Sequence, residues 1–146
     1  MRWLFTTPAK VDRARLVAAI RDAEARTSGE IHVLIARHRA ADPMAAARRH
    51  FERLGLSRPD HRHGILLFVA PRSRNFAVLG DRDAHAQAGD ALWQELAAAM
   101  GTEFKRGDFT AGLLAGIARA GQLLARHFPR SPDQTGAPDA KVEDVD

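Results

Sequence analysis

Apolar residues recur along this chain with two different spacings, which predict alternating strands and helices. The run from Gly64 to Ala70 is unbroken and bounded by glycine and proline, which is typical of a fully buried strand. From Glu30 to Arg37, apolar residues occupy both faces of an extended segment, so this strand is predicted to lie in the interior of a sheet. A turn at Pro71–Arg74 and the apolar run Asn75–Leu79 predict a hairpin with a third strand.

Four segments carry apolar residues about one helical turn apart and are predicted as helices. The first begins at Thr7-Pro8 and the second at Asp42-Pro43, because a capping side chain followed by proline is typical of a helix N-terminus. The third spans about residues 82–100, and the fourth spans about residues 108–128 with Asp108 as its cap. Each glycine inside a helix costs roughly 1 kcal/mol relative to alanine, so we expect close packing to explain the three in the fourth helix. They are Gly112, Gly116 and Gly121.

The element order α-β-α-β-β-α-α predicts an α/β fold. A β-α-β unit implies that the first two strands are parallel, with a right-handed crossover, and the hairpin makes the third strand antiparallel to the second. Helices on both faces then give a three-layer αβα sandwich around a small mixed sheet. Residues 1–129 are predicted to form this domain. Residues 130–146 are polar and lack periodicity, so we predict a disordered acidic C-terminal tail that is dispensable for folding.

Composition narrows the class of protein. A length of 146 residues fits one domain, and the lack of cysteine excludes disulfides, thiol catalysis and thiolate zinc sites. No apolar run approaches the roughly 20 residues of a membrane span, and the apolar start Met1–Phe5 is too short for a signal peptide. We therefore expect a cytoplasmic protein without a membrane span.

The excess of basic residues in the chain has two possible explanations, an anionic partner or genomic base bias. The net charge is +4, of which residues 130–146 contribute −3, and a basic domain attracts nucleic acid or anionic membranes. Genomic base bias also produces a chain rich in alanine and arginine. Because the chain has no tyrosine and its arginines lack interleaved exposed aromatic residues, no nucleic-acid partner is expected. Neither phosphate-binding glycine motif occurs, so no nucleotide cofactor is expected.

The predicted topology collects acidic residues and histidines at one edge of the sheet, where the first two strands start and the third ends. They are Glu30, Asp60, His61, His63, Asp81, Asp83 and His85. Carboxylates suit a hard divalent cation such as Ca²⁺ or Mg²⁺, or they supply a general acid and base. We predict a metal site formed by Glu30, Asp60, Asp81 and Asp83. The alternative is that these carboxylates only cap the third helix, form a turn and pair with arginines.

Trp93 and the histidines away from this edge are weaker indications of a functional site. No residue stands out as a catalytic nucleophile next to a positioned base. Trp93, which neighbours apolar residues in the third helix, is predicted to lie in the core. The other histidines are predicted to be surface or packing residues; they are His32, His38, His50 and His127.

Several short motifs, in this order and spacing, resemble the TPM domain family. They are Ser28-Gly29-Glu30-Ile31, the segment His63–Pro71, Val78-Leu79-Gly80-Asp81, and Phe104–Phe109 followed by Gly112. The resemblance covers about residues 8–129. The family includes a thylakoid-lumen protein, a photosystem II repair factor and many bacterial proteins, and this chain is similar to its short bacterial members without a membrane anchor.

The resemblance implies an αβα sandwich and, as claimed for some members, divalent-cation binding and phosphatase activity at acidic pH. Asp60, Asp81 and Asp83 match the acidic edge positions, whereas Asp108 matches a position that we interpret as a helix cap. Where many relatives are glycine-rich after the third strand, this chain has the segment Gly80–His85, so we expect little or no phosphatase activity. The resulting hypothesis is a cation-binding domain with an interaction or scaffolding role. Because some relatives are membrane-anchored, the resemblance also suggests a membrane-associated protein partner. The alternative is a metal-dependent acid phosphatase acting on phosphomonoesters.

Overall fold

Four helices and four strands make up the described part of the chain, which is residues 11–58, 63–130 and 140–146 of a computed structural model. The helices are α1 (Arg13–Glu24), α2 (Pro43–Arg53), α3 (Arg82–Lys105) and α4 (Phe109–His127). The strands are β1 (Glu30–Ala36), β2 (Gly64–Ala70), β3 (Asn75–Gly80) and β4 (Lys141–Val145). They form one mixed sheet in the order β3-β2-β1-β4.

The sheet is covered by helices on both faces, which confirms the predicted α/β sandwich. β1 and β2 are parallel, and β2 and β3 are antiparallel, as expected. Ile31, Val33 and Ile35 point into a core shared with α1, α3 and α4. Their neighbours Leu34 and Ala36 point into a second core with α2. Every residue of β2 is buried, because this strand lies between two others and under two helical layers.

The helix starts are set by aspartate caps, and one of them corrects the sequence prediction. α2 and α4 begin as expected, since Asp42 accepts a hydrogen bond from the Ala45 N–H and Asp108 accepts one from the Ala111 N–H. α1 begins at Arg13 rather than at Thr7-Pro8, because Asp12 accepts a hydrogen bond from the Arg15 N–H. Thr7 and Pro8 lie outside the described residues.

α3 is longer than expected and is broken within its length. It continues past Met100 to Lys105, because Phe104 is fully buried against α4. Gly89 has φ +77° and ψ 162°, a backbone conformation available essentially to glycine alone. This break separates a short first segment, Arg82–Ala88, from the part of α3 that packs on the sheet.

The end of the chain corrects the prediction that residues 130–146 form a disordered tail. Lys141–Val145 form β4, which pairs in parallel with β1 and occupies the edge of the sheet. Val145 is buried in the α2-side core, and Val142 packs against the other core. Two valines separated by two residues give only a weak strand signal in sequence. Residues 131–139 lie outside the described part.

Long-range ion pairs hold β4 between the two helical layers. Glu143 faces α2 and pairs with Arg53 at 2.7 Å, whereas Asp144 faces α1 and pairs with Arg13. The alternation of a strand therefore directs two adjacent acidic residues to arginines on opposite faces. Opposite charges in the domain thus explain why an acidic segment docks on the edge of β1.

No helix among the described residues is long and apolar enough to cross a membrane.

Deleting residues 141–146 should destabilise the domain. The truncated protein loses the backbone pairing of β1 with β4 and the burial of Val145, worth about 2 kcal/mol, so its melting temperature should fall by about 5–10 °C. The double variant Glu143→Gln/Asp144→Asn is the control. It removes only exposed ion pairs, which contribute at most about 1 kcal/mol each, and should shift the melting temperature less. A truncated protein as stable as the full chain would show that β4 contributes nothing.

The glycines of α4 lie where another helix or the sheet packs closely, as expected. Replacing one of them with alanine should therefore destabilise the protein, whereas the same replacement at an uncrowded helical glycine should stabilise it. A Cβ at Gly112 would lie 2.3 Å from the ring of Phe104, but one at Gly101 in α3 would lie no closer than 3.9 Å to its neighbour Phe76. Gly112→Ala should therefore cost about 1–3 kcal/mol, and Gly101→Ala should stabilise by up to about 1 kcal/mol. Chemical denaturation measures both, and equal effects from the two variants would contradict the packing argument.

Candidate functional site

The edge at which β1 and β2 start and β3 ends has the arrangement expected from the sequence. Glu30 is in register with Gly64, and Ile65 is in register with Gly80. The Glu30 N–H donates to the His63 carbonyl at 2.8 Å, and the Asp81 N–H donates to the Gly64 carbonyl at 3.0 Å. This amino edge therefore brings together backbone segments that are far apart in the sequence.

Asp81 joins three elements at the amino edge. Its Oδ1 accepts a hydrogen bond from the Ala84 N–H at 2.8 Å, which caps α3, and its Oδ2 accepts one from the Gly64 N–H at 2.8 Å. The side chain is 13% exposed. Each carboxylate oxygen has a second lone-pair direction, so these two bonds leave acceptor capacity on both oxygens. Asp81 thus has the capping role considered from the sequence and a cross-link to β2.

His63 and Asp83 lie next to Asp81. The His63 ring stacks on Phe128 with 3.8 Å between centroids, which fixes the imidazole at the end of α4. Its Nδ1 lies 3.3 Å from Asp81 Oδ2 and 3.9 Å from Asp83 Oδ2. Asp83, in the first turn of α3, is 68% exposed. Two of the four predicted metal ligands therefore converge around one imidazole nitrogen.

Glu30 starts at the same edge but contacts a different residue. Its Oε2 lies 3.5 Å from Nε2 of His32, two residues further along the same face of β1. His32 is buried, and its Nε2 has no hydrogen-bond partner among the described residues. Asp60 and His61 lie outside the described residues. In the described part of the chain, no three His, Asp or Glu side chains are placed to share one metal ion.

His85 departs from its expected position, and Trp93 is less buried than expected. Trp93 packs against the core, as predicted, but it stays half-buried, and a Cβ at Gly80 would lie 2.5 Å from its ring. His85 stacks on Trp93 at 5.7 Å and lies 3.7 Å from Asp90, which directs it away from His63. The backbone break at Gly89 lies between His85 and Trp93. The absence of a Cβ at Gly80 is therefore what lets the indole cover the end of β3.

A cleft of about 500 Å³ opens beside the Asp81 carboxylate. Phe51 and Leu56 give it an apolar wall, and Arg58 and Arg82 contribute positive charge. Its remaining lining residues are Ser57, His63, Gly80, Asp81 and Asp83. Sequence analysis did not identify Arg58 or Ser57 as site residues, because packing of the segment after α2 places them there and no local motif signals it. The cleft presents carboxylates and guanidinium groups side by side, so it can bind a cation and an anion at adjacent positions.

Comparisons with known proteins agree with this architecture. The sequence profile of the TPM domain matches residues 8–123. The solution structure of BA42 protein from the psychrophilic bacterium Bizionia argentinensis is similar, with a TM-score of 0.82 and 29% sequence identity over 96% of this chain and 99% of that one. No curated protein matches the chain. Because the profile covers most of the sequence and a solved structure shares the fold over nearly its whole length, the chain belongs to the TPM domain family.

Proposed function

We propose that this TPM domain binds a divalent cation at the Asp81–Asp83 side of the cleft and serves in interaction with a protein partner rather than in catalysis. The observation that carries the proposal is the convergence of two carboxylates on one point, within 3.3 and 3.9 Å of His63 Nδ1. Two carboxylates that approach the same point favour a positive charge there. A bound cation would supply that charge.

The chemistry of the donors favours Mg²⁺ over Ca²⁺ and Zn²⁺. Mg²⁺ commonly binds through one or two carboxylates and keeps several water molecules, whereas Ca²⁺ takes six to eight oxygen ligands. The described residues offer two carboxylates, of Asp81 and Asp83, and Asp83 is accessible to water. Asp60, if it joins them, would add a third oxygen ligand and improve the fit for Ca²⁺. The bound ion would supply positive charge at the rim of the cleft.

An interaction role is supported by what the cleft contains. The buried side chains of Phe51 and Leu56 form the apolar wall of the cleft beneath charged rim residues, a combination that suits the binding of a partner's side chain. Ser57 is the hydroxyl-bearing residue of the lining, and it donates a hydrogen bond to Glu52, with both side chains exposed to water. An exposed pair of this kind is held in no fixed orientation, whereas an activated nucleophile requires one.

The second candidate function is hydrolysis of phosphomonoesters with a metal ion. One observation favours it, which is that Arg58 and Arg82 line the same cleft as Asp81 and Asp83. Guanidinium groups bind phosphate through paired N–H donors, and a cation on the carboxylates would lie beside them. A phosphatase would still need a nucleophile or an activated water molecule.

Mg²⁺ should raise the melting temperature of the protein, because a ligand that binds only the folded state stabilises it. At a hundredfold excess over the dissociation constant the gain is about 2.7 kcal/mol, equivalent to about 5–10 °C for a domain of this size. Chelator should reverse the shift. Asp83→Asn should abolish most of it without altering the cap of α3, whereas Asp90→Asn, an exposed aspartate on the same helix, should leave it intact.

Two results would contradict the cation site. Sodium chloride at matched ionic strength could reproduce the shift, which would show that it reflects only charge screening. Alternatively, Asp90→Asn could remove as much of the shift as Asp83→Asn.

An activity assay with a chromogenic phosphate ester separates the two candidate functions. We expect turnover at background level with and without Mg²⁺, and turnover that is lost in Asp83→Asn would favour the phosphatase.

A further inference from the structure

The opposite edge of the sheet, where the three parallel strands end, is built from loops that bind one another. The Arg37 N–H donates to the Val145 carbonyl at 2.8 Å, which joins the ends of β1 and β4. The Ala40 N–H donates to Ser73 Oγ at 3.1 Å, and the Asn75 side-chain amide donates to the Ala40 carbonyl at 2.8 Å. The loop before α2 is thereby fixed against the turn between β2 and β3, so this carboxyl edge has a defined shape.

The carboxyl edge carries a concentration of positive charge. Arginines follow β1 and β2 directly and extend onto α2; they are Arg37, Arg39, Arg49, Arg72 and Arg74, with His38 among them. The acidic residues found with them are Asp42, whose carboxylate caps α2 through the Ala45 N–H, and Asp146. The charge of this edge is therefore opposite in sign to that of the carboxylates at the amino edge.

A pocket of about 230 Å³ opens within this basic surface. His38, Arg39 and Arg49 line it, and its base is Ala46 and Phe68. The N-terminus of α2, which carries a partial positive charge, borders it. Ligands of open α/β sheets bind outside the carboxyl ends of the strands, which is where this pocket lies. Its volume is below the roughly 300–1,000 Å³ of pockets for drug-sized ligands, so it suits a small group.

A carboxylate of the chain itself already lies in this pocket, but it makes only long contacts. Asp146 Oδ1 is 3.4 Å from Arg37 Nη1 and 3.7 Å from His38 Nε2, and its side chain is 81% exposed. Charge-assisted hydrogen bonds are normally about 2.7–2.9 Å long. Within the described residues, neither Arg39 nor Arg49 forms an ion pair. In the described part of the chain, the guanidinium groups of Arg39 and Arg49 are therefore free to pair with an anion, although Asp42 and Asp146 line the same pocket.

His50, on α2 next to this pocket, responds to the same charges. Its ring stacks on Phe68, and burial lowers the pKa of its imidazole below the ordinary value of 6.5. The positive charges of Arg53 and Arg49 lower that pKa further, whereas a bond to the Asp146 backbone and the charge of Glu143 raise it.

We propose that the pocket at the carboxyl edge binds a phosphate group, with Arg39, Arg49 and His38 as its ligands and Asp146 as a carboxylate that it displaces. A phosphate dianion carries more charge and more acceptor oxygens than one carboxylate, and it matches the paired donors of two guanidinium groups. The group belongs either to a soluble phosphomonoester or to the headgroup of an anionic lipid. This site lies at the opposite edge of the sheet from the cation site and does not depend on it.

Titration of the ¹⁵N-labelled full chain with inorganic phosphate, at ionic strength held constant with sodium chloride, tests the site. Saturable shifts should appear at the amides of His38, Arg39 and Ala45, while those of Gly64 and Ala84 stay in place. Arg39→Gln and Arg49→Gln should each weaken binding about tenfold, which is the loss of one charge-assisted contact. Asp146→Asn should strengthen binding several-fold, because it removes the competing carboxylate.

Arg119→Gln is the matched control, since Arg119 is an exposed arginine on α4 and its replacement changes the net charge equally. All four variants replace exposed residues, and the same spectra report whether each one is folded. If Arg119→Gln weakens phosphate binding as much as Arg39→Gln, or if chloride alone produces the shifts, the basic surface acts only through its total charge and the proposal is wrong.

Two further probes distinguish the sources of the phosphate. Glycerol 3-phosphate that binds at least as tightly as inorganic phosphate, with the same loss in Arg39→Gln, identifies a soluble phosphomonoester. Retention on vesicles that contain phosphatidic acid, whose headgroup is a phosphomonoester, but not on phosphatidylcholine vesicles, again lost in Arg39→Gln, identifies a lipid headgroup. Binding of neither probe, together with no saturable response to inorganic phosphate, would overturn the proposal.

Discussion

Burial of β1 and β2 on both faces is the constraint on which the rest of the structure depends. Ile31, Val33 and Ile35 face one helical layer, and Leu34 and Ala36 face the other, so the middle of the sheet has no room for a charged side chain. An uncompensated charge there would cost several kcal/mol. The charged groups of the two inner strands are therefore confined to the ends of the sheet. The amino edge carries Asp81 and Asp83 beside Arg58 and Arg82, the carboxyl edge carries an excess of arginines, and the two candidate sites lie at these two ends.

The polar groups at both ends also contribute to the fold. Asp81 caps α3 and accepts a hydrogen bond from the first residue of β2, so the carboxylate proposed to bind a cation also holds the amino edge together. Glu143 and Asp144 attach β4 to arginines of two different helices. Because such residues serve structure as well as binding, replacing Asp81 alone cannot separate the two roles. Asp83 can, because it lies at the same site without a capping bond.

Sequence reasoning succeeded where local chemistry decides the structure. The apolar run of β2 and the aspartate caps of α2 and α4 were predicted because each depends on residues close together in the chain. Gly55 ends α2 with φ +74°, as a glycine after a helix commonly does. The shared edge at which β1 and β2 start and β3 ends was predicted correctly, because it needs only strand directions, whereas the metal site assigned to that edge stays a prediction. Gly89 was not predicted to break α3, since nothing in the flanking residues distinguishes it from a tolerated helical glycine.

Features that depend on distant contacts were missed. β4 has two valines among acidic residues, and it is held by pairing with β1, by burial of Val145 and by arginines about 90 and 131 positions away. Arg58 reaches the cleft only because of how the segment after α2 packs. Glu30 was grouped with the aspartates because it starts a strand at their edge, but its carboxylate lies at His32, which is on the same face of β1. Strand direction was predictable from the sequence, whereas the contact partner of each side chain was not.

We infer that the two ends of one buried sheet carry separate sites of opposite charge preference. Mn²⁺ replaces Mg²⁺ at oxygen ligands, and its unpaired electrons broaden the NMR signals of nearby amides, so it locates a bound cation directly. At substoichiometric Mn²⁺ we expect the amides of Gly64, Asp83 and Ala84 to broaden first, while those of Arg39 and Ala45 stay sharp. Broadening centred on the acidic residues of β4, or spread evenly over the surface, would contradict the account.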